Sequence, residues 1–258
     1  MSATEVGARY SAGITAYNIH GMTVGNIHYV EMTFIPDVIT FSAFREVLLE
    51  NPTHLRFFWN SVILVVPIVA GQLIIAPLAA YGFEQAKAKH KEKLFFAYII
   101  TMLMPLQALI VPHFITARFM GIERGYLPII LPAVFGAFGV FLIRQQMRIF
   151  EKGMLEAARV DGASELKIYM HIVLPNIKPT IAALMVLAFS EAWNIVDQAI
   201  VFIRDFFQMP MATYLTVGFT GNLGLIFALS SLFMIPALIV FICGQDHLQT
   251  SLDYRGGK

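Results

Sequence analysis

Four side chains with binding chemistry interrupt an apolar stretch late in the chain: Glu191, Trp193, Asn194 and Asp197. On a continuous helix, Glu191 and Asn194 would share one face, and Trp193 and Asp197 would share the adjacent face. Carboxylate and amide groups hydrogen-bond to hydroxyls, and an indole ring can stack on a sugar ring. The pattern predicts a path that contacts a sugar-like solute within a membrane. Alternatively, Asp197 is solvated at the outer interface and Trp193 belongs to an aromatic belt.

The sequence gives no support for catalysis or for a metal or cofactor site. Cys243 is the only cysteine, which excludes an intramolecular disulfide. The seven histidines are scattered, without the paired spacing of a metal site. No Ser, His and Asp set falls in one soluble region. We therefore expect the chain to be neither an enzyme nor the holder of a cofactor.

The composition indicates an integral membrane protein. Of the 258 residues, 57% are hydrophobic and 14% are charged, whereas an ordinary soluble domain has about 25% charged residues. So few charges cannot cover the surface of a soluble protein of this size. The net charge of +1 gives no indication of a nucleic-acid partner.

The chain contains five stretches that could cross a bilayer, which takes about 20 mostly apolar residues per helix. We therefore predict an all-α fold, a polytopic transmembrane helix bundle of about five spans with a cytoplasmic loop. The predicted spans are residues 57–83, 94–117, 125–143, 179–203 and 223–243.

Lysine and arginine predict the orientation, because loops rich in these residues stay in the cytoplasm. The loop at 84–93 carries four lysines, and the segment 144–178 carries six basic residues. We therefore expect a multi-pass protein with a cytoplasmic C-terminus. The predicted organisation is an external segment at 1–56, a transmembrane domain at 57–248 that includes the loop 144–178, and a cytoplasmic tail at 249–258.

The loop 144–178 has a helical pattern of its own. Apolar residues at helical spacing predict a short helix at 152–160, and Gly162 ends it because glycine readily adopts a left-handed conformation. The pattern resumes at Glu165 and stops at Leu174-Pro175. The sequence thus predicts two short helices at an angle on the cytoplasmic face. An amphipathic hairpin that rests on lipid headgroups fits the same pattern.

The residue spacing in this loop is similar to the EAA signature of the membrane subunits of ABC importers. That signature reads E-A-A, three residues, G, nine residues, I-x-L-P, and every specified position is matched. Residues 127–144 and the pair Trp193-Asn194 also resemble the carbohydrate-uptake branch, specifically its maltose-transporter G-type permeases. Members of that branch usually have six spans, so we expect that their first transmembrane helix is missing from this sequence. The matched positions are Glu156, Ala157, Ala158, Gly162, Ile172, Leu174 and Pro175.

The resemblance implies that the loop is a coupling helix that fits a groove on a cytoplasmic ATPase. Glu156 would meet a basic residue there, Gly162 would set the bend, and Leu174-Pro175 would lock the loop to the next span. The phosphate-binding pattern G-x-x-x-x-G-K-[ST] is missing, so hydrolysis would occur in a separate subunit. The implied partners are an ATP-binding cassette ATPase dimer, a second homologous permease subunit and an external solute-binding protein at the bacterial inner membrane.

The function that this resemblance implies is a permease subunit for a sugar, a polyol or a glycerol phosphate. A secondary transporter or channel is one alternative, although neither a coupling-ion site nor an inverted repeat is visible in the sequence. A membrane scaffold that anchors a cytoplasmic partner without moving solute is the other alternative.

Overall fold

The computed structural model describes residues 19–24, 27–32, 41–51, 53–149, 152–220 and 223–253, and its membrane part is a bundle of α-helices. Three helices are long and apolar enough to cross a membrane alone: Thr53–Gln85, Leu127–Met147 and Leu223–Gln245. Two bent helix pairs, Lys91–Met102 with Leu106–Phe119 and Glu165–Asn176 with Lys178–Trp193, pass the same test, and counting each pair as one span brings the number of candidate spans to five. The predicted fold class, an all-α transmembrane bundle of about five spans, is confirmed.

The spans are numbered 1 to 5 in chain order. Span 2 consists of two helices that meet at a bend, span 3 is one long helix with a short interruption at 135–136, and span 4 is the second helix of the other bent pair. Span 1 is Thr53–Gln85, span 2 is Lys91–Met102 with Leu106–Phe119, span 3 is Leu127–Val134 with Ala137–Met147, span 4 is Lys178–Trp193, and span 5 is Leu223–Asp253.

Span 2 is sharply broken, so the prediction of one helix at 94–117 is wrong. Its two halves meet at an angle of 105°. Pro105 lies between them with φ −63° and ψ 137°, which is an extended conformation. Proline lacks the N–H for a helical hydrogen bond, and it disfavours the helical conformation in the residue before it. The break follows from this local chemistry.

Span 4 ends earlier than predicted, because its helix stops at Trp193 and does not continue to residue 203. Asn194 has φ −100° and ψ 19°, outside the helical region. Its side-chain Nδ2 donates to the carbonyl oxygen of Ser190 at 2.8 Å. The chain resumes as a separate short helix, Asp197–Phe202. Asparagine competes with helical hydrogen bonds in this way, and two β-branched residues follow it.

The segment before span 1 is partly folded onto the bundle. Two strands that the sequence did not predict, Ile19–Val24 and Ile27–Met32, pair antiparallel. A short helix begins at Ser42 and continues as a wider turn to Glu50. Within it, Val47 is fully buried in a cluster with Met211, Tyr214, Leu225 and Leu229. Part of the predicted external segment therefore packs against the region around span 5.

Span 1 lies at the centre of the bundle, packed against spans 3 and 4. Gly139 of span 3 allows the close approach, since a Cβ there would lie 3.0 Å from Leu184 and 3.2 Å from Ala76. Gln72 Nε2 of span 1 donates to the carbonyl oxygen of Ala133 at 2.8 Å, beside the break in span 3. Interhelical hydrogen bonds of this kind make a broken helix tolerable inside a membrane.

We expect Gly71→Ala to destabilise the bundle. A Cβ at Gly71 would lie 2.5 Å from Val134 Cγ2, so span 1 or span 3 must shift. Overpacking of this kind costs about 1–3 kcal/mol. Thermal unfolding in detergent measures the effect, with Gly82→Ala as the control. No described atom lies within 4 Å of a Cβ at Gly82, so this substitution in the same helix should be neutral or stabilising. A Gly71→Ala protein as stable as the control would contradict the packing.

Candidate functional site

The loop 144–178, called the coupling loop below, contains the two short helices that the sequence predicted. The first helix is Lys152–Val160 and the second is Glu165–Asn176. Gly162 lies between them with φ +81°, a conformation that favours glycine. Ser164 Oγ then accepts a hydrogen bond from the backbone N–H of Lys167 at 3.3 Å, which caps the second helix. The bend is therefore built from local sequence chemistry.

The first half of the signature is open to solvent. Glu156, Ala157 and Gly162 are exposed. Two neighbouring apolar side chains are also exposed, Val160 at 87% and Leu166 at 68%. Exposed apolar side chains outside the spans mark a surface for contact with another protein or with lipid. Sequence reasoning did not single out Val160 or Leu166, because only the fold shows that both point outward.

The second half of the signature mostly faces inward. Ile172 and Leu174 are partly buried and pack against a core cluster that includes Ile168 and Val173. Ala158 packs against the same cluster. Pro175 is exposed at the end of the second helix. The matched positions therefore divide into an outward group around the Gly162 bend and an inward group that holds the loop on the bundle.

Four polar side chains attach the coupling loop to the end of span 1. Arg159 Nε donates to Glu165 Oε1 at 2.7 Å, and Arg159 Nη2 donates to Gln85 Oε1 at 2.6 Å. Tyr81 Oη donates to Glu165 Oε2 at 2.5 Å. We call Tyr81, Gln85, Arg159 and Glu165 the loop anchor. The sequence did not reveal it, because its members are up to 84 residues apart.

The loop anchor contains an ion pair between Arg159 and Glu165 at neutral pH. Hydrogen bonds from the Arg159 guanidinium and then from the Tyr81 hydroxyl lower the pKa of the Glu165 carboxyl. The ion pair that Glu165 forms with Arg159 is exposed, so its contribution to stability is small, about 0–1 kcal/mol. Its structural effect is to fix the angle between the two loop helices and their distance from span 1.

A cleft of about 170 Å³ separates the coupling loop from the adjoining ends of the spans. Glu156, the first residue of the signature, lines it together with charged residues of spans 1 and 2. The cleft could accommodate part of a partner's side chain. The full lining is Tyr81, Glu84, Gln85, Lys91, Met147, Arg148, Leu155, Glu156, Arg159 and Val173.

A second polar region lies near the break in span 2 and just after the end of span 4. Gln107 Nε2, at the start of the second half of span 2, donates to Asp197 Oδ2 at 3.0 Å. Glu191, Asn194 and Asp197 are all exposed. Exposed polar groups at broken spans are expected where the protein lines an aqueous path. The structure therefore brings Asp197 together with Gln107 of span 2.

Trp193 does not line this polar region in the observed conformation. Its side chain is 2% exposed. The indole is stacked between Phe189 and Phe233, with both ring centroids 5.2 Å away. Its Nε1 donates to the carbonyl oxygen of Phe233 at 3.0 Å. The ring is almost fully buried against aromatic neighbours, so the expected stacking on a sugar does not fit this conformation, and Trp193 joins spans 4 and 5 instead.

A bundle of membrane-spanning helices, with a helical loop beyond the spans, defines a polytopic membrane protein. Residues 54–254 match the family described as "Binding-protein-dependent transport system inner membrane component". The chain belongs to this family. It is thus a membrane permease subunit of a binding-protein-dependent importer, and the resemblance to ABC importer permeases is confirmed.

The relatives of the chain include permeases of sugar and glycerol phosphate transport systems. The arabinooligosaccharides transport system permease protein AraQ of Halalkalibacterium halodurans is 28% identical, with 89% of this chain and 83% of AraQ covered. The lactose transport system permease protein LacG of Rhizobium radiobacter is 34% identical over 53% of this chain and half of LacG. The sn-glycerol-3-phosphate transport system permease protein UgpE of Pectobacterium atrosepticum is 28% identical over 63% of this chain and 60% of UgpE.

Solved structures share the fold. A chain of a bacterial ABC transporter involved in the import of alginate superposes with a TM-score of 0.74 at 24% identity, with 95% of this chain and 94% of that chain covered. A chain of the MetNI methionine ABC transporter, in an inward-facing conformation, gives a TM-score of 0.59 at 14% identity, with coverages of 83% and 99%. These likenesses establish the fold.

Proposed function

We propose that this chain forms part of the translocation path for a sugar, a polyol or a glycerol phosphate, and that its coupling loop receives the force of a separate ATPase. The observation that carries the proposal is the loop itself, which presents Glu156 and Gly162 outward while the loop anchor ties it to span 1. A loop that only rested on lipid would not need this attachment to span 1.

The solute class is supported by the relatives and by the polar region of spans 2 and 4. Permeases named for arabino-oligosaccharides, lactose and glycerol phosphate share one feature, a solute rich in hydroxyl groups. Glu191, Asn194 and Asp197 offer carboxylate and amide groups that can hydrogen-bond to hydroxyls. Trp193, the last residue of span 4, is buried against span 5 and is not a proposed solute contact.

The proposed partners follow from the same account. An ATP-binding cassette dimer would dock on the coupling loop and hydrolyse ATP, with Glu156 facing a basic side chain of the ATPase. A second homologous permease subunit would complete the path, and a solute-binding protein would deliver the solute. The family description, which names binding-protein-dependent transport, supports the last of these.

The proposed topology places the coupling loop and the C-terminal tail, 249–258, in the cytoplasm of a bacterial cell. Residues 57–248 form the transmembrane domain, and residues 1–56 lie outside. The support is the basic content of the loops at 84–93 and 144–178. Accessibility of single cysteines to a membrane-impermeant reagent, introduced in a Cys243→Ser background, tests this orientation.

The proposal is tested by purification of the tagged chain from native membranes in mild detergent, with mass spectrometry of the proteins that co-elute. We expect an ATP-binding cassette protein and a second permease with the wild type. A scaffold would recover some other cytoplasmic protein, and a secondary transporter or channel would recover no ATPase. Either result would contradict the proposal.

We expect Asn194→Ala to weaken the apparent affinity for the solute about five- to tenfold, the effect of losing one hydrogen bond of roughly 1 kcal/mol. The measurement is the solute concentration that gives half-maximal uptake. Asn176→Ala is a matched control, since Asn176 Nδ2 donates to the carbonyl oxygen of Ile172 at 2.7 Å in the same i to i−4 pattern but lies in the coupling loop. If Asn194→Ala and Asn176→Ala have the same apparent affinity for the solute, Asn194 has a structural role only.

A further inference from the structure

A buried arginine lies at the end of span 3 that adjoins the coupling loop. The side chain of Arg144 is 0% exposed. Its Nε donates to Glu84 Oε2 at 3.2 Å, and its Nη2 donates to Glu92 Oε1 at 2.6 Å. Glu84 belongs to the last turn of span 1, and Glu92 belongs to the first turn of span 2. One guanidinium group therefore contacts carboxylates from two other spans.

Arg148 and two aromatic rings complete this arrangement. Arg148 Nη2 donates to Glu92 Oε2 at 2.8 Å, and Arg148 Nε lies 3.7 Å from Glu84 Oε2. The Arg144 guanidinium carbon lies 3.9 Å from the centre of the Phe95 ring and 6.0 Å from that of Phe83. The cation–π contact with Phe95 and two directed hydrogen bonds hold the guanidinium group in place. We call Glu84, Glu92, Arg144 and Arg148 the ion cluster.

Stability alone does not account for the ion cluster. Among the described residues, Arg144 Nη1 is a buried donor without a hydrogen-bond partner. The arginine is buried while its partners Glu84 and Glu92 are 21% and 57% exposed, and an unmet donor on a buried charge is costly. The cluster does join the ends of spans 1, 2 and 3 through one guanidinium group.

The ion cluster is also continuous with the loop anchor. Glu84 and Gln85 are consecutive residues, and Gln85 accepts a hydrogen bond from Arg159 of the coupling loop. Glu84 and Arg148 line the same cleft as Glu156 and Arg159. A displacement of the coupling loop is therefore applied directly to the end of span 1, where the ion cluster joins spans 1, 2 and 3.

We infer that Arg144 is a positioning residue for transport, which joins the adjoining ends of spans 1, 2 and 3 into one unit that moves with the coupling loop. The inference rests on the proposed function. Without the contacts of Arg144, the loop would still dock on the ATPase and ATP would still be hydrolysed. The ends of spans 1, 2 and 3 would, however, move less than the loop does. The predicted defect is therefore in the number of solute molecules moved per ATP, with docking retained.

The test uses Arg144→Lys, which keeps the charge but loses the stacking and the paired donors, and Arg148→Gln as a milder variant in the half-exposed part of the ion cluster. Each chain is purified with its co-eluting partners and placed in vesicles, where solute uptake and ATP hydrolysis are measured together. We expect Arg144→Lys to retain its ATPase and to lower the ratio of solute to ATP about tenfold. Arg148→Gln should lower the ratio less.

Gly71→Ala is the control for a merely structural effect, because it strains the contact between spans 1 and 3 away from the ion cluster. The inference would be overturned if Arg144→Lys and Arg148→Gln both moved as much solute per ATP as the wild type. An equal loss of ratio in Gly71→Ala would also overturn it, since any weakening of the bundle would then suffice. Failure of the wild type to recover an ATPase would be a different result, which refutes the proposed function on which the inference depends.

Discussion

We expect Gly162→Asp to abolish ATP-driven uptake while the chain still folds and inserts. Gly162 is exposed with φ +81°, and no described atom lies within 4 Å of a Cβ placed there. The new side chain therefore has room within this chain. Aspartate tolerates the left-handed conformation at a cost of about 1 kcal/mol, too little to unfold the bundle. What the side chain obstructs is a partner that approaches the bend, so docking of the ATPase is lost.

The matched control for this variant is Gly121→Asp. Gly121 has φ +73°, again with no described atom within 4 Å of a Cβ. Its backbone cost is the same, but it lies in the turn between spans 2 and 3, on the opposite side of the membrane in the proposed topology. We expect Gly121→Asp to bind the ATPase and to take up solute as the wild type does. If both variants transport normally, or if both fail alike, the bend is not the docking site.

Reversal of one charge in the loop anchor is expected to have the second large effect. Arg159→Glu places a carboxylate where Nε now lies 2.7 Å from Glu165 Oε1, so attraction becomes repulsion. The two loop helices lose their fixed angle, and the loop separates from Gln85. We expect uptake to fall at least tenfold, because a loose loop passes little displacement to span 1.

The double variant Arg159→Glu with Glu165→Arg restores an opposite-charge pair and should recover a substantial part of uptake. Uptake measured in vesicles for the wild type, both single variants and the double variant forms a complete cycle. If the double variant is no better than the product of the single effects, the pair does not act as a unit.

The pH dependence of the loop anchor follows from the lowered pKa of Glu165. A carboxyl whose pKa is lowered by folding stabilises the fold above its unfolded-state pKa, and this contribution is lost as the pH falls through the lower folded-state pKa. The anchor is thus intact throughout the neutral range. We expect the effect of Arg159→Glu on uptake to be the same at pH 6 and pH 8.

The sequence was sufficient for those features that depend on local chemistry. Spans 1, 3 and 5 follow from long apolar runs, and the bend of the coupling loop follows from Gly162 between two short helical patterns. The signature also identified the family. These features require no knowledge of which helices are neighbours.

Features that depend on tertiary contacts could not be predicted in the same way. The apolar composition continues across Pro105 and Asn194, so a search for apolar windows merges helices that the backbone separates. Trp193 has the chemistry of a sugar contact, but its N–H is bound by the carbonyl of Phe233, 40 residues away. The partners of Arg144 lie 52 and 60 residues away, on helices whose adjacency only the fold establishes.

ATP-driven accumulation of solute in vesicles is the most direct test of the claim that this chain is the permease of an importer. The vesicles contain the chain with its co-purified partners, ATP is supplied on the side of the coupling loop, and a panel of labelled lactose, arabino-oligosaccharide and glycerol 3-phosphate is offered with the solute-binding protein. We expect at least one solute to accumulate when ATP is supplied. We expect no accumulation when a non-hydrolysable analogue replaces ATP, or when the chain carries Gly162→Asp. Accumulation driven by an ion gradient without ATP, or by neither energy source, would contradict it.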